Sequence, residues 1–527
     1  LANEPDEESK IAKMLRTMPK WRYSVIVALS IFWLIFQLYI KLVKPFDPWF
    51  QLPLHMVLAL VTVFLFNPMA EKYHNKLWWI YDIYLIASSL FVLYYFVINA
   101  DALNYRLYSV DPFTNLDIAV AVMLLIAIME AVRRVVSLSL FFVILFFMAY
   151  AWFGQFVPGI FHYDGITLDR FCETLMLGEN GIFGSPLGTS LNTLFYFLVF
   201  GCFFANCGGG GVLIDCGMKL SDKTVGGPAK AAVISSGLMG MISGSAVANV
   251  SSTGVFTIPL MKKIGYEPTF AGAVEAVAST GGQLVPPVMG AACFVMAEYI
   301  GVPYSKIMLA AIIPALLYYM SAFIAVHLRA KRLGMEGLPK EQLPDAKEAM
   351  KKRGHLLIPF IAVIVMILMQ YTVSMAAIIG IILVLIVSNF RKETRITPKK
   401  FLYCLIDGGK KSVSFGISCA CIGLIIGVTT LTGIGNVLGD YVITLSQGNL
   451  LLALMLTMVV SIFLGMGMPT VAVYIVLATV AAPVLVKMGV PMLAGHFYCF
   501  YFGIMANLTP PVAIPAYAAA AIADASP

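Results

Sequence analysis

Three uninterrupted apolar stretches constrain the fold of this chain more than any other feature. They are WRYSVIVALSIFWLIFQLYI (21–40), LWWIYDIYLIASSLFVLYYFVI (77–98) and VSLSLFFVILFFMAYAWFGQFV (136–157). A helix that crosses a bilayer needs roughly 20 mostly apolar residues. A soluble fold does not accommodate several such stretches, and only 12% of the 527 residues are charged. The sequence therefore predicts an all-α integral membrane protein whose surroundings are the lipid bilayer.

The positive charge of the chain is concentrated in two loops. One loop carries Arg329, Lys331, Arg332, Lys340, Lys347, Lys351, Lys352 and Arg353, and the next carries Arg391, Lys392, Arg395, Lys399 and Lys400. The apolar residues 356–390 between them are long enough to cross the bilayer and return, so both loops lie on one side. Basic loops mark the cytoplasmic side. The net charge of +7 therefore reports topology, and no nucleic-acid partner is expected.

The first part of the chain predicts ordinary spans, and the later part does not. Spans are expected near 22–41, 53–69, 77–98, 117–131 and 136–157. From about residue 187 the apolar segments contain many Gly, Ser, Thr, Asn and Pro residues, as in SSGLMGMISGSAVANVSSTGVFTIPL (235–260). Such a segment is too polar to face lipid as one straight helix. It is typical of a re-entrant hairpin or a discontinuous helix that lines a cavity.

An internal repeat supports this interpretation. Gly240 opens GMISGSAVA and is followed 46 residues later by Pro286 in GGQLVPPVMG. Gly465 opens GMGMPTVAV and is followed 45 residues later by Pro510 in ANLTPPVAI. Two copies of one unit are the simplest explanation. Each copy predicts a hairpin followed by a broken helix, and the two copies are expected to be inverted repeats around a pseudo-two-fold axis.

The repeat and the change in composition divide the chain into five regions. They are a cytoplasmic tail (1–20), a four-helix scaffold region (21–132), a linking helix with its connector (133–180), a first repeat (181–354) and a second repeat (355–527). In the first repeat we expect a re-entrant hairpin at 235–263 and a broken helix at 267–300. In the second repeat we expect a hairpin at 458–490 and a broken helix at 493–523.

The polar residues at the breaks are the candidate ligands of one central site. A helix that stops at a proline pair leaves carbonyls that can bind Na⁺, and opposing helix N-termini favour an anionic group. The candidate substrate- and cation-binding residues are Ser243, Gly244, Ser245, Asn249, Ser279, Thr280, Gln283, Gly467, Thr470, Asn507 and Thr509. Carbonyls and side chains near Ser245, Gln283, Thr470 and Asn507 are the candidate Na⁺ ligands. For each hydroxyl the alternative is packing between close helices.

Glu275 is the most informative single charge in the sequence. It lies within FAGAVEAVASTGG, and a carboxyl inside a span is costly and usually paired or functional. It is therefore a candidate proton carrier or a neighbour of the bound cation. The alternative is a structural ion pair with Lys262 or Lys263 near the membrane face.

Motifs for catalysis are missing from the sequence. The nine cysteines are scattered and the six histidines lack metal-ligand spacing. There is no Walker A pattern and no arrangement of Ser, His and Asp that suggests a hydrolase. We therefore expect no enzyme activity, no ATPase subunit and no cofactor, only Na⁺ or H⁺ as a coupling ion.

Three strings resemble a known family. SGLMGMISGSAVANV, FTIPLMKKIGYEPTFAGAVEAVASTGGQLVPPVMGAA and MANLTPPVAIPAYAAAAIA are similar to the permease of a TRAP (tripartite ATP-independent periplasmic) transporter. The resemblance is to the TAXI branch, in which the small four-helix subunit and the large subunit are fused. It covers nearly the whole chain, with residues up to about 131 resembling the small subunit. Related chains usually continue beyond the last double-proline helix, so a segment after Pro527 is expected to be missing.

The resemblance implies a function and a set of partners. It implies an elevator-type, monomeric permease in the cytoplasmic (inner) membrane of a bacterium or archaeon. Such carriers take organic anions from a periplasmic TAXI-type substrate-binding protein and are typically driven by Na⁺, with H⁺ kept open by Glu275. The site is implied at 243–254, 279–287, 465–472 and 505–511. The first substrates to test are a dicarboxylate such as 2-oxoglutarate, or glutamate.

Other classes of membrane protein remain as alternatives. The chain is alternatively a Na⁺-coupled dicarboxylate carrier or an anion exchanger that works without a binding protein. A channel would need a continuous polar stripe, whereas two broken repeats favour alternating access.

Overall fold

The computed structural model describes residues 18–72, 77–221, 224–335 and 346–527, and these residues form helices without any β-strand. Nine helices in these ranges are long and apolar enough to cross a membrane. Helices as the only spanning elements follow from the bilayer, where each backbone N–H and C=O must be satisfied within its own segment. The predicted all-α polytopic membrane fold is confirmed.

Five helices in the first part of the chain follow the predicted spans. They are α1 (Lys20–Leu42), α2 (Pro48–Phe66), α3 (Trp78–Tyr105), α4 (Asn115–Val136) and α5 (Leu138–Phe156). After them come α6 (Leu168–Leu177) and α7 (Ser185–Asn206). A four-residue helix, Met69–Lys72, precedes α3.

Local signals explain where these helices begin. Pro48 starts α2, where its missing N–H costs nothing, and the Asp47 carboxylate accepts a hydrogen bond of 2.8 Å from the Trp49 N–H. Thr114 and Asp117 form a reciprocal capping box at the start of α4.

The later part of the chain is built from shorter helices. They are α8 (Gly209–Ser221), α9 (Gly227–Ser243), α10 (Ala246–Lys263), α11 (Pro268–Gly281), α12 (Ala292–Tyr299), α13 (Tyr304–Arg332), α14 (Ala346–Arg353), α15 (Leu357–Leu368) and α16 (Val373–Ser388). They continue as α17 (Pro398–Thr432), α18 (Ile434–Leu445), α19 (Leu450–Gly465), α20 (Thr470–Lys487), α21 (Met492–Met505) and α22 (Ile514–Ala523).

Two pairs of these helices have a break where the sequence repeats. In the first copy α9 ends at Ser243 and α10 begins at Ala246, while in the second α19 ends at Gly465 and α20 begins at Thr470. A second break follows each pair. It separates α11 from α12 and α21 from α22, and each contains a short 3₁₀ turn and a double proline with a cis bond.

The 35-residue helix α17 connects the two parts of the molecule. It packs against α1 and α2 of the first part, against α5, α6 and α7, and against α20 of the second repeat. A buried polar cluster joins the same parts. The His55 ring accepts a hydrogen bond of 3.1 Å from the Trp33 indole and reaches the Ser190 hydroxyl at 3.1 Å with its other nitrogen. Because an indole only donates, the proton of His55 lies on the nitrogen that faces Ser190.

Ion pairs of Arg134 join the C-terminal end of α4 to α3. The Arg134 guanidinium, whose side chain is 3% exposed, contacts Asp82 at 2.5 Å and Glu130 at 2.7 Å. Arg134 also lies over the Phe64 ring. The predicted tail lies outside the described residues up to residue 17, and so does Lys340 of the first basic loop.

Candidate functional site

A cavity of about 410 Å³ lies where the two helix pairs meet α17. Its walls come from the break between α9 and α10, the break between α19 and α20, the break after α21, and one side of α17. Six of the predicted site residues line it: Ser243, Gly244, Ser245, Gly467, Thr470 and Asn507. Residues separated by more than 200 positions in the sequence are thus brought to one cavity.

The first wall is formed by the turn between α9 and α10. The Ser243 hydroxyl lies 3.3 Å from the carbonyl oxygens of both Gly240 and Ser245, to which it donates. Ser245 caps α10, since its hydroxyl accepts from the Ala248 N–H at 3.5 Å. Residues 246–248 at the N-terminus of α10 form part of the cavity wall.

Glycines allow both turns to form. Gly244 has φ +64° and Gly467 has φ +72°, which is a backbone conformation that other residues adopt only with strain. A Cβ on Gly467 would also lie 2.6 Å from the Ser139 hydroxyl at the start of α5. The second turn is thus tightly packed against the linking helix.

The repeated glycines Gly240 and Gly465 hold each pair against its broken helix. A Cβ on Gly240 would lie 2.8 Å from the Cα of Gly282, in the 3₁₀ turn after α11. A Cβ on Gly465 would lie 2.6 Å from the Cβ of Ala506, in the 3₁₀ turn after α21. The same close approach therefore occurs in both copies.

Glu275 lies outside the cavity, in a cage of hydroxyl groups between α9, α10 and α11. The carboxylate is fully buried and accepts hydrogen bonds from Ser236 and Ser279 at 3.0 Å and from Thr257 at 2.6 Å, and Thr253 donates to it as well. Among the residues that the structure describes, no salt bridge includes it.

The alternative of an ion pair between Glu275 and Lys262 or Lys263 is wrong, since no salt bridge among the described residues joins Glu275 to either lysine. The Lys262 ammonium donates instead to the Ala523 carbonyl at 2.6 Å. A buried carboxylate needs a compensating proton or cation, because desolvation otherwise makes the charged form costly. The hydroxyl cage is therefore suited to hold either one.

Two side-chain amide oxygens near the first break have no hydrogen-bond partner among the described residues. Asn249 donates to the Ser236 carbonyl at 2.7 Å and hydroxyl at 2.9 Å, but its carbonyl oxygen is buried and accepts no hydrogen bond from the described residues. The same holds for the carbonyl oxygen of Gln283, whose amide nitrogen lies 3.5 Å from the Thr280 carbonyl. An uncharged, unpartnered oxygen is a potential cation ligand.

The remaining predicted residues have different surroundings. The Thr280 and Thr509 hydroxyls donate to the preceding turn, to Ala276 at 2.8 Å and Met505 at 3.0 Å, as the packing alternative predicts. Ser279 belongs to the Glu275 cage. Gln283 is 1% exposed and is covered by Gly290, so it does not line the 410 Å³ cavity as its repeat partner Asn507 does.

Helix α17 contributes a polar face to the cavity that was not predicted from the sequence. Lys411, Ser414 and Ser418 line the cavity, at the spacing that places side chains on one face of a helix. Among the described residues that line the cavity, Lys411 alone is charged. The three-and-four spacing of Lys411, Ser414 and Ser418 was visible in the sequence. The hydroxyls of Ser236 and Thr257 in the Glu275 cage were also missed, whereas Thr253 lies within the implied site range 243–254.

Comparisons with known proteins identify the family. A family model described as tripartite ATP-independent periplasmic transporter, DctM component, matches residues 122–527. The sialic acid TRAP transporter large permease protein of Vibrio cholerae is 26% identical over 310 residues, which is 55% of this chain and 68% of that protein. The C4-dicarboxylate TRAP transporter large permease protein of Pseudomonas aeruginosa is 25% identical over 332 residues, or 62% and 76% of the two chains.

A third relative carries a different substrate in its name. The isethionate TRAP transporter permease protein of Oleidesulfovibrio alaskensis is 22% identical over 339 residues, which is 63% of this chain and 52% of that protein. The family model covers most of the chain, including both repeats and α17. The expectation of a transporter component rather than an enzyme is confirmed, as is the expected multi-pass placement in a bacterial inner membrane. The chain belongs to the DctM family of TRAP transporter permeases.

Proposed function

We propose that this chain is a fused TRAP permease of the TAXI type that takes up an organic carboxylate together with a coupling cation. A periplasmic binding protein delivers the substrate to it. The central cavity carries this proposal, because both repeated breaks and α17 contribute polar groups to its wall. Two half-helix ends that face one cavity are the arrangement by which secondary transporters bind an anion and its ion.

The names of the relatives support an organic anion as the substrate class. They mention sialic acid, C4-dicarboxylates and isethionate, all of which carry a carboxylate or sulfonate. Lys411 and the hydroxyl groups of the cavity suit the same chemistry, since a carboxylate accepts hydrogen bonds from both. A dicarboxylate such as 2-oxoglutarate, or glutamate, is the first substrate to test.

The region before the family match supports the fusion. The match begins at residue 122, whereas α1, α2 and α3 precede it and pack on the rest of the chain. With α4 they make four helices of spanning length, which fits the four-helix small subunit of the TAXI branch. We propose that these helices, with α4 and α17, form the static scaffold, and that the two broken units move past them as an elevator.

Na⁺ is the coupling ion that we propose first. The unpartnered carbonyl oxygens of Asn249 and Gln283 support it, since Na⁺ prefers uncharged oxygen ligands of this kind. Coupling to H⁺ is the second candidate, and one observation favours it. Glu275 is fully buried among hydroxyls, where a proton would neutralise it without any further ligand.

The test is uptake into proteoliposomes that contain the whole chain. Labelled 2-oxoglutarate, glutamate, succinate and N-acetylneuraminate are offered with the binding protein from the neighbouring gene, under a Na⁺ gradient or a proton gradient. We expect uptake that depends on the binding protein and on one of the two gradients. Full uptake without the binding protein would favour the carrier that works alone, and failure to take up any organic anion would contradict the proposal.

The variant Glu275→Gln distinguishes coupling to H⁺ from coupling to Na⁺. If Glu275 carries the coupling proton, this variant loses proton-driven uptake while it remains folded, since an amide can still hydrogen-bond with Ser236 and Thr257. Retained Na⁺-driven uptake would assign the coupling to Na⁺ elsewhere. Glu267→Gln is the matched control, because Glu267 precedes the same helix and its side chain is 61% exposed.

A further inference from the structure

Lys411 gives the cavity a charge whose partner is a neighbouring carboxylate. Its ammonium lies 3.1 Å from the Asp407 carboxylate, one helical turn earlier on α17, and it also donates to the buried Cys202 thiol of α7 at 3.3 Å. The Lys411 side chain is 50% exposed, whereas that of Asp407 is 9% exposed. The lysine side chain thus lines the cavity, whereas the aspartate does not.

Lys411 lines the cavity and Asp407 does not, so an anion in the cavity can reach Lys411 without meeting the Asp407 carboxylate. Asp407 does not line the cavity, and the described residues that do line it include no carboxylate. An anion inside the cavity would therefore meet one cation and a set of hydroxyls. An ammonium has three N–H donors, of which Asp407 and Cys202 accept two, so an anion in the cavity can accept from the third.

We propose that Lys411 binds the anionic group of the transported substrate, and that Asp407 is the counter-ion of Lys411 when the cavity is empty. This inference rests on the proposed function, because it requires an anionic substrate. It adds the residue that recognises the charge, and it places that residue on α17 rather than on either broken unit. Ser414 and Ser418, on the same face of α17, supply hydroxyls beside the bound anion.

The neighbouring lysine provides a matched control. Lys410 lies over the Phe66 ring at 5.3 Å, on the side of α17 that faces α2, and it does not line the cavity. Lys410→Gln removes the same charge from the adjacent position. Any effect that is specific to Lys411→Gln therefore reports the cavity and not the overall charge of the chain.

The first measurement needs no knowledge of the substrate. A cysteine placed at Ser414 is modified with an anionic and a cationic methanethiosulfonate reagent, and the ratio of the two rates reports the local potential. We expect Lys411→Gln to lower the anionic-to-cationic ratio by about tenfold and Asp407→Asn to raise it. Lys410→Gln should leave it unchanged. The unmodified chain, without the Ser414→Cys change, corrects for the native cysteines.

The second measurement is the uptake of succinate in proteoliposomes. We expect Lys411→Gln to raise the KM about tenfold or more, Lys411→Arg to retain most of the affinity, and Asp407→Asn to lower both the KM and the maximal rate because the anion is released more slowly. A reagent ratio or KM in Lys411→Gln that equals that of Lys410→Gln would overturn the inference. A wild-type chain that moves no anion, yet shows the Lys411-dependent ratio, would instead contradict the proposed function.

Discussion

Gln283 and Asn507 occupy matching positions in the two repeats, each three residues before a double proline, but their surroundings differ. Asn507 is partly exposed to the 410 Å³ cavity. Gln283 is buried under the loop that follows it, where the Gly290 N–H donates to the backbone carbonyl of Gln283 at 2.8 Å, while the side-chain oxygen has no hydrogen-bond partner in the part of the chain that the structure describes. The same position in the repeat thus contributes to a cavity wall in one copy and to a buried break in the other.

This difference predicts two separate phenotypes. Asn507→Ala should weaken substrate affinity by about tenfold, since it removes a polar contact worth roughly 1–3 kcal/mol at the cavity wall. Gln283→Ala should instead weaken the dependence on the coupling cation, because the buried carbonyl oxygen without a partner is lost. Uptake rates measured against substrate and against cation concentration separate the two. Normal dependence on both in both variants would show that the breaks are only architectural.

Residue chemistry alone identified some of these positions and not others. Glu275 was predictable, because a carboxyl in a run of small residues is unusual in a span. Lys411 was not, because a lysine just before an apolar run is also typical of a side chain that reaches to the membrane surface. Its role depends on the packing of α17 against breaks more than 50 residues away in the sequence, which local pattern does not encode.

At the level of elements, each helix pair touches its broken helix through a glycine. Gly240 approaches the 3₁₀ turn at Gly282, and Gly465 approaches the turn at Ala506. The backbones can come this close only because no side chain separates them. The two contacts set the distance between the hairpin turns and the breaks that follow, and thereby the shape of the cavity wall.

A methyl group at either contact should therefore disturb the protein. Gly240→Ala places a Cβ 2.8 Å from the Gly282 backbone, and Gly465→Ala places one 2.6 Å from Ala506. We expect each to cost about 1–3 kcal/mol, seen as a lower melting temperature in detergent and as reduced uptake. Gly188→Ala is the control, because a Cβ there meets nothing within 4 Å. Equal stability of all three variants would contradict the close packing.

The two broken helix pairs, α9 with α10 and α19 with α20, lead to a prediction of membrane topology. If 227–263 and 450–487 are re-entrant hairpins, both ends of each segment are accessible from one side of the membrane, and the two segments open to opposite sides. Cysteines introduced one at a time at the ends of each segment, and labelled with an impermeant reagent in oriented vesicles, check this. Ends of one segment that label from different sides would show two spanning helices instead.

The positions of the breaks could be predicted from the sequence more readily than the residues that pack against them. Glycine and proline act locally, so the turns at Gly244 and Gly467 and the double prolines could be placed before the structure was known. Which residues share a cavity wall or a cage depends on tertiary packing, which the local sequence does not show. The cage around Glu275 combines hydroxyls from three helices, and only Ser279 was among the predicted site residues.

At the level of the whole molecule, the two repeats are interlocked. The last helix of the second repeat, α22, packs against α10 and α11 of the first. Lys262 donates to the Ala523 carbonyl at 2.6 Å, and a Cβ on Gly272 would lie 3.4 Å from the Ala519 carbonyl. The first part of the chain is joined to the rest through α17 and the His55 cluster rather than through α22.

Interlocking has a thermodynamic consequence. Because α22 packs against α10 and α11 of the first repeat, we expect a ligand that orders one break to restrict the other, so that the free energies of binding at the two breaks are coupled. Linkage then requires equality: whatever factor a bound cation adds to the affinity for the anion, the anion adds the same factor to the affinity for the cation. Titrations performed in either order must return one coupling constant, and its size measures how rigidly α22 joins the two halves.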